Sequence, residues 1–405
     1  MSTRLPEPAR RLLAARAAIS LGQGAMGVDF ALYARALHWS PGFLGAVVGA
    51  GMLAGGGLTA LVGPLSDRFG RKGCLCTYLV AVVAAAGLAA VSARTMVVAG
   101  AAIIAGFGRG AVGVPGLFGA VQQAWLSDQV EGPALSRTLA RNVATGFFST
   151  AVGTFMGGLP QLWRAALPGA AAYRPLFAIA AATTLVSLVL LATTAEPRRV
   201  PRSRAPGQAA AVRDAADQAS ENRLLWRLAG INALNGVGIG LTGPLLSWWL
   251  AERFGAGPGQ IAPAIGLVLL ASGLATLGAG RLGARFGLVR VVVVMRSVGL
   301  ALQVAMPFAP GFGWAMSAYA ARTVLNRGTA GQRQALVMGA VRGHRRGLAA
   351  SVSGVSTQLP RALGPWVAGL LFGAGWFAGP FLLAAVFQGA YLVLYRKVFA
   401  PVDRA

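Results

Sequence analysis

Long apolar runs, each about 20 residues in length, follow one another along the whole chain between short polar or charged segments. A run of this length spans the hydrocarbon core of a bilayer when it forms an α-helix. The runs cover residues 17–36, 43–62, 73–93, 97–121, 140–162, 175–194, 225–250, 261–279, 289–308, 313–338, 348–372 and 378–398. The pattern therefore predicts an all-α polytopic membrane protein with twelve transmembrane helices.

A polar segment divides these runs into two sets of six. Residues 195–223 are rich in proline, alanine and charge, which is typical of a linker. We therefore expect an N-terminal six-helix half (1–194), a cytoplasmic linker (195–223) and a C-terminal six-helix half (224–405), with a short surface helix over residues 209–219.

The two halves repeat in sequence. GRLGARFG at residues 280–287 resembles GPLSDRFG at residues 63–70, an offset of 217 positions. An RGxxG sequence starts at Arg109 and another at Arg327. Two halves in parallel repeat predict a binding site near the bilayer midplane, between them.

Composition and charge agree with a membrane protein. The chain of 405 residues is 56% hydrophobic and only 12% charged, with a mean hydropathy of +0.63. Its formal charge of +25 is spread over short segments between apolar runs, which favours a membrane over a nucleic-acid partner. Most of these segments fall on one side of the predicted bundle, so the positive-inside rule places both termini in the cytoplasm. Arginine far outnumbers lysine, which suggests a bacterial source and a cytoplasmic (inner) membrane location.

Several chemistries find no support in the sequence. Cys74 and Cys76 lie in one apolar run, and His38 and His344 are far apart, so we expect neither a disulfide nor a metal site. No phosphate-binding glycine-rich loop followed by Lys and Ser or Thr is present, which argues against direct use of ATP. No nucleophile and base share a midplane position, so an intramembrane enzyme is disfavoured. We predict no catalytic residues and no cofactor, and we read no removable signal peptide at the N-terminus.

A compact charged segment, GPLSDRFGRK at residues 63–72, separates the second and third apolar runs. Glycine permits close contact and a tight reversal, and the basic residues hold the segment at an anionic leaflet. The segment closely resembles the loop between the second and third helices of the major facilitator superfamily. That resemblance implies a secondary transporter that works by alternating access, as a monomer. It also implies a gating role for residues of the loop, namely Gly63, Asp67, Arg68, Gly70 and Arg71. The second copy has Ala284 in place of Asp67.

Asp29 is the only acidic residue inside an apolar run. A carboxylate in the membrane is costly and is a candidate for function. Gly22, Met26, Asp29 and Tyr33 are spaced to share one helical face, with Gln23 beside it, so we expect a polar stripe facing a central cavity. Asp29 is a candidate for proton coupling, and a static ion pair with an arginine is the alternative.

Arginines inside the apolar runs are the second group of candidates. Arg109 lies in GFGRGAVG, which is similar to the superfamily's fourth-helix motif, whose arginine is associated with proton coupling. Arg327 is its counterpart in the repeat, and Arg322 lies on the same tenth run. We expect Arg296 and Arg333 to extend toward the cytoplasmic interface. Candidate substrate contacts are Gln23, Met26, Tyr33, Asn232, Asn235, Thr242, Arg322 and Arg327.

Two further runs carry glycine patterns. The seventh contains INALNGVGIGLTGP, in which glycines before Pro244 weaken a helix, or alternatively allow close packing. The fifth contains GTFMGG, where the antiporter branch of the superfamily usually has GPxxGG, so Thr154 stands at the proline position. In the eleventh run Pro365 is retained, and we expect a bend there.

These features predict proton-coupled movement of a small organic molecule across the bilayer. The first-span acid and the lining rich in glycine and alanine resemble the drug-exporter branches of the superfamily, so we expect efflux of a drug or metabolite. The surplus of arginine and the missing proline favour the alternative, which is uptake or exchange of an organic anion.

The gating assignment yields a test. We expect Asp67→Asn to slow the conformational cycle more than it weakens substrate binding, because the loop contacts no substrate. Transport rate and binding affinity are to be measured in liposomes. Unchanged transport by the variant would remove the gating role of Asp67.

Overall fold

A computed structural model describes residues 5–109, 116–130, 133–196, 211–339 and 346–399. All regular structure within these ranges is helical. The helices of the first half are α1 (Glu7–Ala36), α2 (Pro41–Phe69), α3 (Arg71–Val91), α4 (Thr95–Ala105), α5 (Gly116–Gln129), α6 (Pro133–Met156), α7 (Pro160–Trp163) and α8 (Arg174–Ala192). Those that follow are α9 (Ala211–Thr242), α10 (Leu246–Phe254), α11 (Pro258–Phe286), α12 (Leu288–Ala305), α13 (Phe312–Gly328), α14 (Ala330–Gly339), α15 (Arg346–Arg361), α16 (Leu363–Gly373) and α17 (Gly379–Phe399).

Seven helical segments of the described ranges are long and apolar enough to cross a bilayer. They are Pro41–Thr59, Arg71–Val91, Gly169–Ala192, Glu221–Phe254, Pro258–Ala275, Leu288–Phe308 and Gly379–Phe399. Each overlaps one of the twelve expected runs. Helices that are interrupted, shorter or less apolar occupy the other five runs, so the count of twelve spans stays a prediction. The surface helix expected over residues 209–219 is instead the start of α9, which continues unbroken into the seventh run.

The fourth run is not one continuous helix, as its hydrophobicity suggested. α4 ends at Ala105, and Gly106 and Gly108 then adopt left-handed backbone conformations with φ of +74° and +76°. Glycine adopts such angles without the steric cost that other residues meet. The chain therefore turns out of the helix just before Arg109.

Three other runs are also interrupted. α9 ends at Thr242 and α10 begins at Leu246, on either side of Pro244. α15 ends at Arg361 and α16 begins at Leu363, which places the break at the bend expected from Pro365. Proline lacks the N–H that would bond to the carbonyl four residues earlier, which here is that of Arg361. In the tenth run α13 and α14 are separated at Thr329.

The internal repeat is visible in the helices themselves. α2 and α11 each contain 29 residues, and both their first and last residues are 217 positions apart (41 to 258 and 69 to 286). Gly70 and Gly287, at the same offset, end these helices with φ of +86° and +87°. The two halves therefore share one local backbone design.

The halves pack closely at one end of the bundle. We call the end where α1 begins and α17 ends the terminal side, and the opposite end the far side. On the far side α2 packs on α16, where a Cβ at Gly45 would overlap the carbonyl of Pro365 and one at Gly49 would lie 2.8 Å from the carbonyl oxygen of Ala362. This contact is the α2–α16 seam.

A second contact between the halves lies where α6 meets α11. A Cβ at Gly266 would lie 3.0 Å from the ring of Phe155, and one at Gly259 would lie 3.2 Å from the Gln161 side chain. This contact is the α6–α11 seam. Because α2 and α11 are equivalent in the repeat, the two seams are related to each other, and together they close the far side.

An ion pair lies beside the seams. Arg35 at the end of α1 donates through Nε to Glu252 of α10 at 2.8 Å. Both side chains line a pocket of about 560 Å³ on the far side, together with Tyr173 and Pro258. Both are more than one-third exposed, so the pair orients the helix ends and adds little stability.

The α2–α16 seam can be tested by adding volume. Valine at Gly45 must displace the α16 backbone, and overpacking of this kind costs about 1–3 kcal/mol. A Cβ at Gly57, on the same helix, would meet nothing within 4 Å. We expect Gly45→Val to lower the midpoint of thermal unfolding in detergent and Gly57→Val to leave it near wild type. Equal midpoints for the two variants would contradict the packing described.

Candidate functional site

Three of the helix interruptions described above carry an arginine at their edge. Arg109 follows the left-handed glycines after α4, Arg327 is the penultimate residue of α13, and Arg361 is the last residue of α15. An interrupted helix leaves peptide groups unpaired, and a membrane tolerates them only where protein or a cavity covers them. Discontinuous helices of this kind form the binding sites of many transporters.

Arg109 connects the two halves through its backbone carbonyl, and its side chain is held within the first half. Its guanidinium donates to the carbonyl of Gly51 on α2 at 2.8 Å. Gly55 and Gly106 leave the space it occupies, because a Cβ at either position would overlap the guanidinium. Its own carbonyl accepts a hydrogen bond from Arg361 at 3.3 Å. The Arg109 side chain therefore contacts the first half, and its carbonyl contacts the second half.

Arg361 is a site residue that the sequence analysis missed. Its side chain is only 6% exposed, and Arg109 and Arg327 are among its electrostatic neighbours. Tyr319 of α13 interacts electrostatically with Arg322, Arg327 and Arg361. The signal was available, since Arg361 is a charged residue inside the eleventh apolar run, by the same criterion that selected Asp29.

Arg327 reaches across to the first half. Its guanidinium lies over the ring of Phe147 in α6, 5.7 Å from the ring centroid. A cation over an aromatic face is favourable, most strongly where water is excluded. Arg322, one turn earlier on α13, is 8% exposed. The structure therefore places Arg109 and Arg327 where the halves meet, and Arg322 shares the neighbour Tyr319 with Arg327.

Asp29 lies apart from these arginines, where α1 meets the end of α6. It is fully buried, and neither carboxylate oxygen has a hydrogen-bond partner among the described residues. A Cβ at Gly157 would overlap its Oδ2, and would lie 3.1 Å from the Cβ of Ala262 in α11. Gly157 therefore lies between Asp29 and α11, beside the α6–α11 seam. In the described part of the chain no arginine pairs with Asp29, as the alternative of a static ion pair would require.

The other residues of that α1 face do not form the expected stripe toward a cavity. Tyr33 packs edge-on against Phe177 of α8 at 5.0 Å between ring centroids, and a Cβ at Gly22 would meet Thr183 of the same helix. The prediction of a shared cavity-facing stripe is wrong, because α8 covers this face. Nearer the α4 break, Gln23 donates to the carbonyl of Ala105 at 3.1 Å, and the carbonyl of Met26 accepts from the Gly108 N–H at 3.3 Å.

The polar residues of α9 pair within the second half. Asn232 donates to Ser353 of α15 at 3.1 Å, and Asn235 accepts from Arg296 at 3.0 Å. Arg296 is 6% exposed and stacks on Tyr391, so the expectation that it extends to the interface is wrong. Its buried polar partner and aromatic neighbour hold the guanidinium inside the half. Thr242, the last residue of α9, is also buried.

Gly236, Gly238 and Gly240 of the seventh run serve packing, and they do not unwind α9. α9 stays helical through Gly236, Gly238 and Gly240. A Cβ at Gly236 would overlap the carbonyl of Thr357, and one at Gly240 would overlap that of Arg361. Of the two interpretations offered by the sequence, close packing is the one observed.

The charged segment between α2 and α3 is mostly helical. α2 continues through Gly63, Asp67 and Arg68 to Phe69, although the side chains of these residues lie outside the described part. Gly70 makes the turn, and the N–H of Arg71 donates to the Glu196 carboxylate at 2.7 Å. The Arg71 side chain donates to the carbonyl of Ala124 in α5. Glu196, which the sequence analysis placed in the linker, thus caps the start of α3.

Thr154, which stands at the expected proline position, joins α6 to α1. The Thr154 hydroxyl donates to the carbonyl of Thr150 at 2.8 Å and lies 3.3 Å from that of Gly24. α6 is therefore unbroken at this point, and it contacts α1 directly where Gly153 leaves room for the carbonyl of Leu21.

Comparison with known proteins gives a consistent result. A family model described as Major Facilitator Superfamily matches residues 12–231 and 228–404. No curated protein matches the chain significantly in sequence. A variant of the nucleoside transporter NupG superposes with a TM-score of 0.76 at 13% identity, over 97% of this chain and all of that one.

Two further solved structures are similar in fold. A bacterial homologue of the human lysosomal transporter Spinster, in an inward-facing and unoccupied conformation, gives a TM-score of 0.75 at 13% identity over 96% of both chains. The inward-open xylose transporter XylE from E. coli gives 0.68 at 14% identity, over 94% of this chain and 95% of that one.

The contacts of Arg109 predict that charge alone does not suffice there. A lysine keeps the charge but loses the planar fork that fits between Gly51, Gly55 and Gly106. We expect Arg109→Lys to reduce the transport rate at least about tenfold, the worth of one charged hydrogen bond. Arg94→Lys, at an exposed helix start, is the matched control. Wild-type transport rates from Arg109→Ala would leave Arg109 with a purely structural role.

Proposed function

The chain belongs to the major facilitator superfamily, and from that premise we propose that it moves a small organic molecule across the membrane by alternating access, coupled to proton movement. The observation that carries this proposal is the closure of one side of the interface between two repeated halves. The interrupted, arginine-bearing helices lie between these halves, at the place where such proteins bind substrate.

The two seams suggest how the cycle runs. Both consist of glycines that admit a backbone or ring from the opposite half, so they can separate without breaking a covalent or charged network, apart from the exposed Arg35–Glu252 pair. In the proposed orientation, with both termini in the cytoplasm, the closed far side faces outward. Opening the far side requires the two halves to tilt about the midplane as rigid bodies.

The segment around Gly70 is suited to a gate on the terminal side. Glu196 holds the first N–H of α3 and lies next to Gly70, where a Cβ would approach its Oε2 to 3.2 Å. The contact therefore joins α3 to the chain that leaves α8. The proposed gating residues of this segment are Gly63, Asp67, Arg68, Gly70 and Arg71. A change in the Glu196 contact alters how the first half meets the second.

Asp29 is the proposed proton-coupling residue. A buried carboxylate with no hydrogen-bond donor is costly when charged. Its position behind Gly157 means that opening the α6–α11 seam exposes it to water, where the charged form is no longer penalised. Proton release and opening of the α6–α11 seam are thereby linked. Arg109, where the two halves meet, takes part in the same movement of the halves.

The protein is proposed to act as a monomer in the inner membrane of a bacterium, with substrate, protons and the lipid bilayer as its partners. Export of a drug or metabolite is the first direction to test. Uptake or exchange of an organic anion is the second candidate, and the arginines between the halves favour it.

Proton movement in proteoliposomes tests the function directly. The vesicles hold a pH-sensitive dye, and cationic, neutral and anionic candidate compounds are added outside. We expect one class to drive proton movement with wild type and not with Asp29→Asn, because the amide cannot exchange a proton. Equal proton movement by the two proteins would exclude Asp29 as the coupling residue.

Two glycine variants supply the matched comparison. Alanine at Gly157 displaces the Asp29 carboxylate, whereas alanine at Gly158 lies no closer than 3.3 Å to any neighbour. Gly157→Ala should therefore disturb coupling and Gly158→Ala should not. Transport by wild type without proton movement, for every class of compound, would leave a facilitator or an exchanger.

A further inference from the structure

The arginines between the halves indicate the chemical class of the substrate. We propose that the transported molecule is a small organic dianion, with two carboxylate or phosphate groups, and that Arg109, Arg322 and Arg361 hold it. This inference rests on the proposed transport function and deepens it.

The first argument is the balance of charge. Two ion pairs in the described ranges, Arg11 with Glu7 and Arg35 with Glu252, lie at the ends of the bundle. The one buried carboxylate there, Asp29, faces the α6–α11 seam instead of the arginines. Arg109, Arg322 and Arg361 consequently have no carboxylate partner within the described part of the chain.

The second argument is the cost of leaving these charges uncompensated. Arg322 and Arg361 are more than nine-tenths buried, and an unpaired guanidinium at membrane depth is expensive. The backbone carbonyls that accept from Arg109 and Arg361 offset part of this cost. The Nε atoms of Arg109, Arg322 and Arg361 remain without a hydrogen-bond acceptor among the described residues. An anionic ligand supplies both the charge and the acceptors.

The third argument concerns where the donors come from. Arg109 belongs to the first half and Arg361 to the second, and the hydrogen bond from Arg361 to the Arg109 carbonyl shows that these two residues meet. Arg322, also in the second half, shares the neighbour Tyr319 with Arg361. Guanidinium groups bind carboxylates and phosphates through paired N–H donors. One anionic group directed to each half accounts for two charges, and such a ligand stabilises the approach of the halves around it.

Tyr319 and Phe147 define the rest of the surroundings. Tyr319 is an electrostatic neighbour of both Arg322 and Arg361, and its hydroxyl can donate to an anionic oxygen. Phe147 lies under Arg327 and offers an apolar surface from α6. An organic body between two anionic groups fits this combination better than an inorganic anion.

The competing explanation is that the arginines serve only to pair backbone carbonyls freed by the helix breaks. It accounts for the bonds of Arg109 to Gly51 and of Arg361 to Arg109. It does not account for Arg322, which lies within α13, seven residues before the break at Thr329. The two explanations differ in what a bound anion should do.

Ligand-induced stabilisation of the purified protein separates them. A ligand that binds only the folded state raises the midpoint of thermal unfolding with its concentration. The probes are isophthalate and succinate, the monoamide and diamide of each, pyrophosphate, and mono- and dicationic amines of similar size. We expect the dicarboxylates to stabilise most, the monoamides less, and the diamides and amines not at all.

Variants locate the effect. Arg361→Gln should weaken dicarboxylate binding at least about tenfold, Arg361→Lys should weaken it less, and Arg94→Gln should leave it unchanged. Should Arg361→Gln fail to fold, Arg322→Gln makes the same test away from the helix break. Equal stabilisation of wild type, Arg361→Gln and Arg322→Gln would overturn the proposal. No stabilisation by any dianion, or stabilisation confined to neutral or cationic probes, would also overturn it.

Exchange of a labelled probe across proteoliposomes distinguishes this inference from the transport function. Exchange of neutral or cationic compounds without anions would refute the dianion and retain the transporter. Dianion binding that depends on Arg361, with no exchange of any probe, would refute transport and retain the site.

Discussion

The structure depends on one constraint, which is that every peptide group inside a membrane needs a hydrogen-bond partner. Continuous helices meet it locally, but the helices of the fourth, seventh, tenth and eleventh runs are interrupted. The interruptions after α4, α13 and α15 gather where the two halves meet, and Arg109 and Arg361 donate to carbonyls there. The polar interior is thus a consequence of broken helices that the opposite half covers. Because this cover is shared, any movement of one half changes the partners of the other.

Much of the fold was readable from the sequence, because apolar length and repeated motifs are local properties. The 217-residue offset predicted the matched helices α2 and α11, and seven expected runs coincide with apolar helices. The interruption before Arg109 was not predicted, since hydrophobicity does not change there and only the left-handed Gly106 and Gly108 produce it. The presence of glycine does not by itself predict an interruption either. The glycines of α9 leave the helix intact because neighbouring backbones occupy the space they leave.

The candidate site was predicted in part, for a related reason. Asp29 and Arg109 stood out as charges within apolar runs, and both lie at contacts between helices. The partners of each residue were beyond sequence reasoning, because they depend on which helices pack together. Arg296 was expected at the interface, but Asn235 and Tyr391 hold it inside. Tyr33 shares a helical face with Asp29, yet α8 covers it. Periodicity identifies a face of a helix, and only packing tells what that face meets.

The ion pair between Arg35 and Glu252 has a consequence for the history of the chain. The two residues are 217 positions apart, the same offset that relates α2 to α11. A protein assembled from two identical halves would place one residue type on both sides of this contact, and like charges there would repel. The pair therefore arose only after a duplicated gene had diverged. At this contact the two halves are not interchangeable, because the first half carries the positive charge and the second half carries the negative charge.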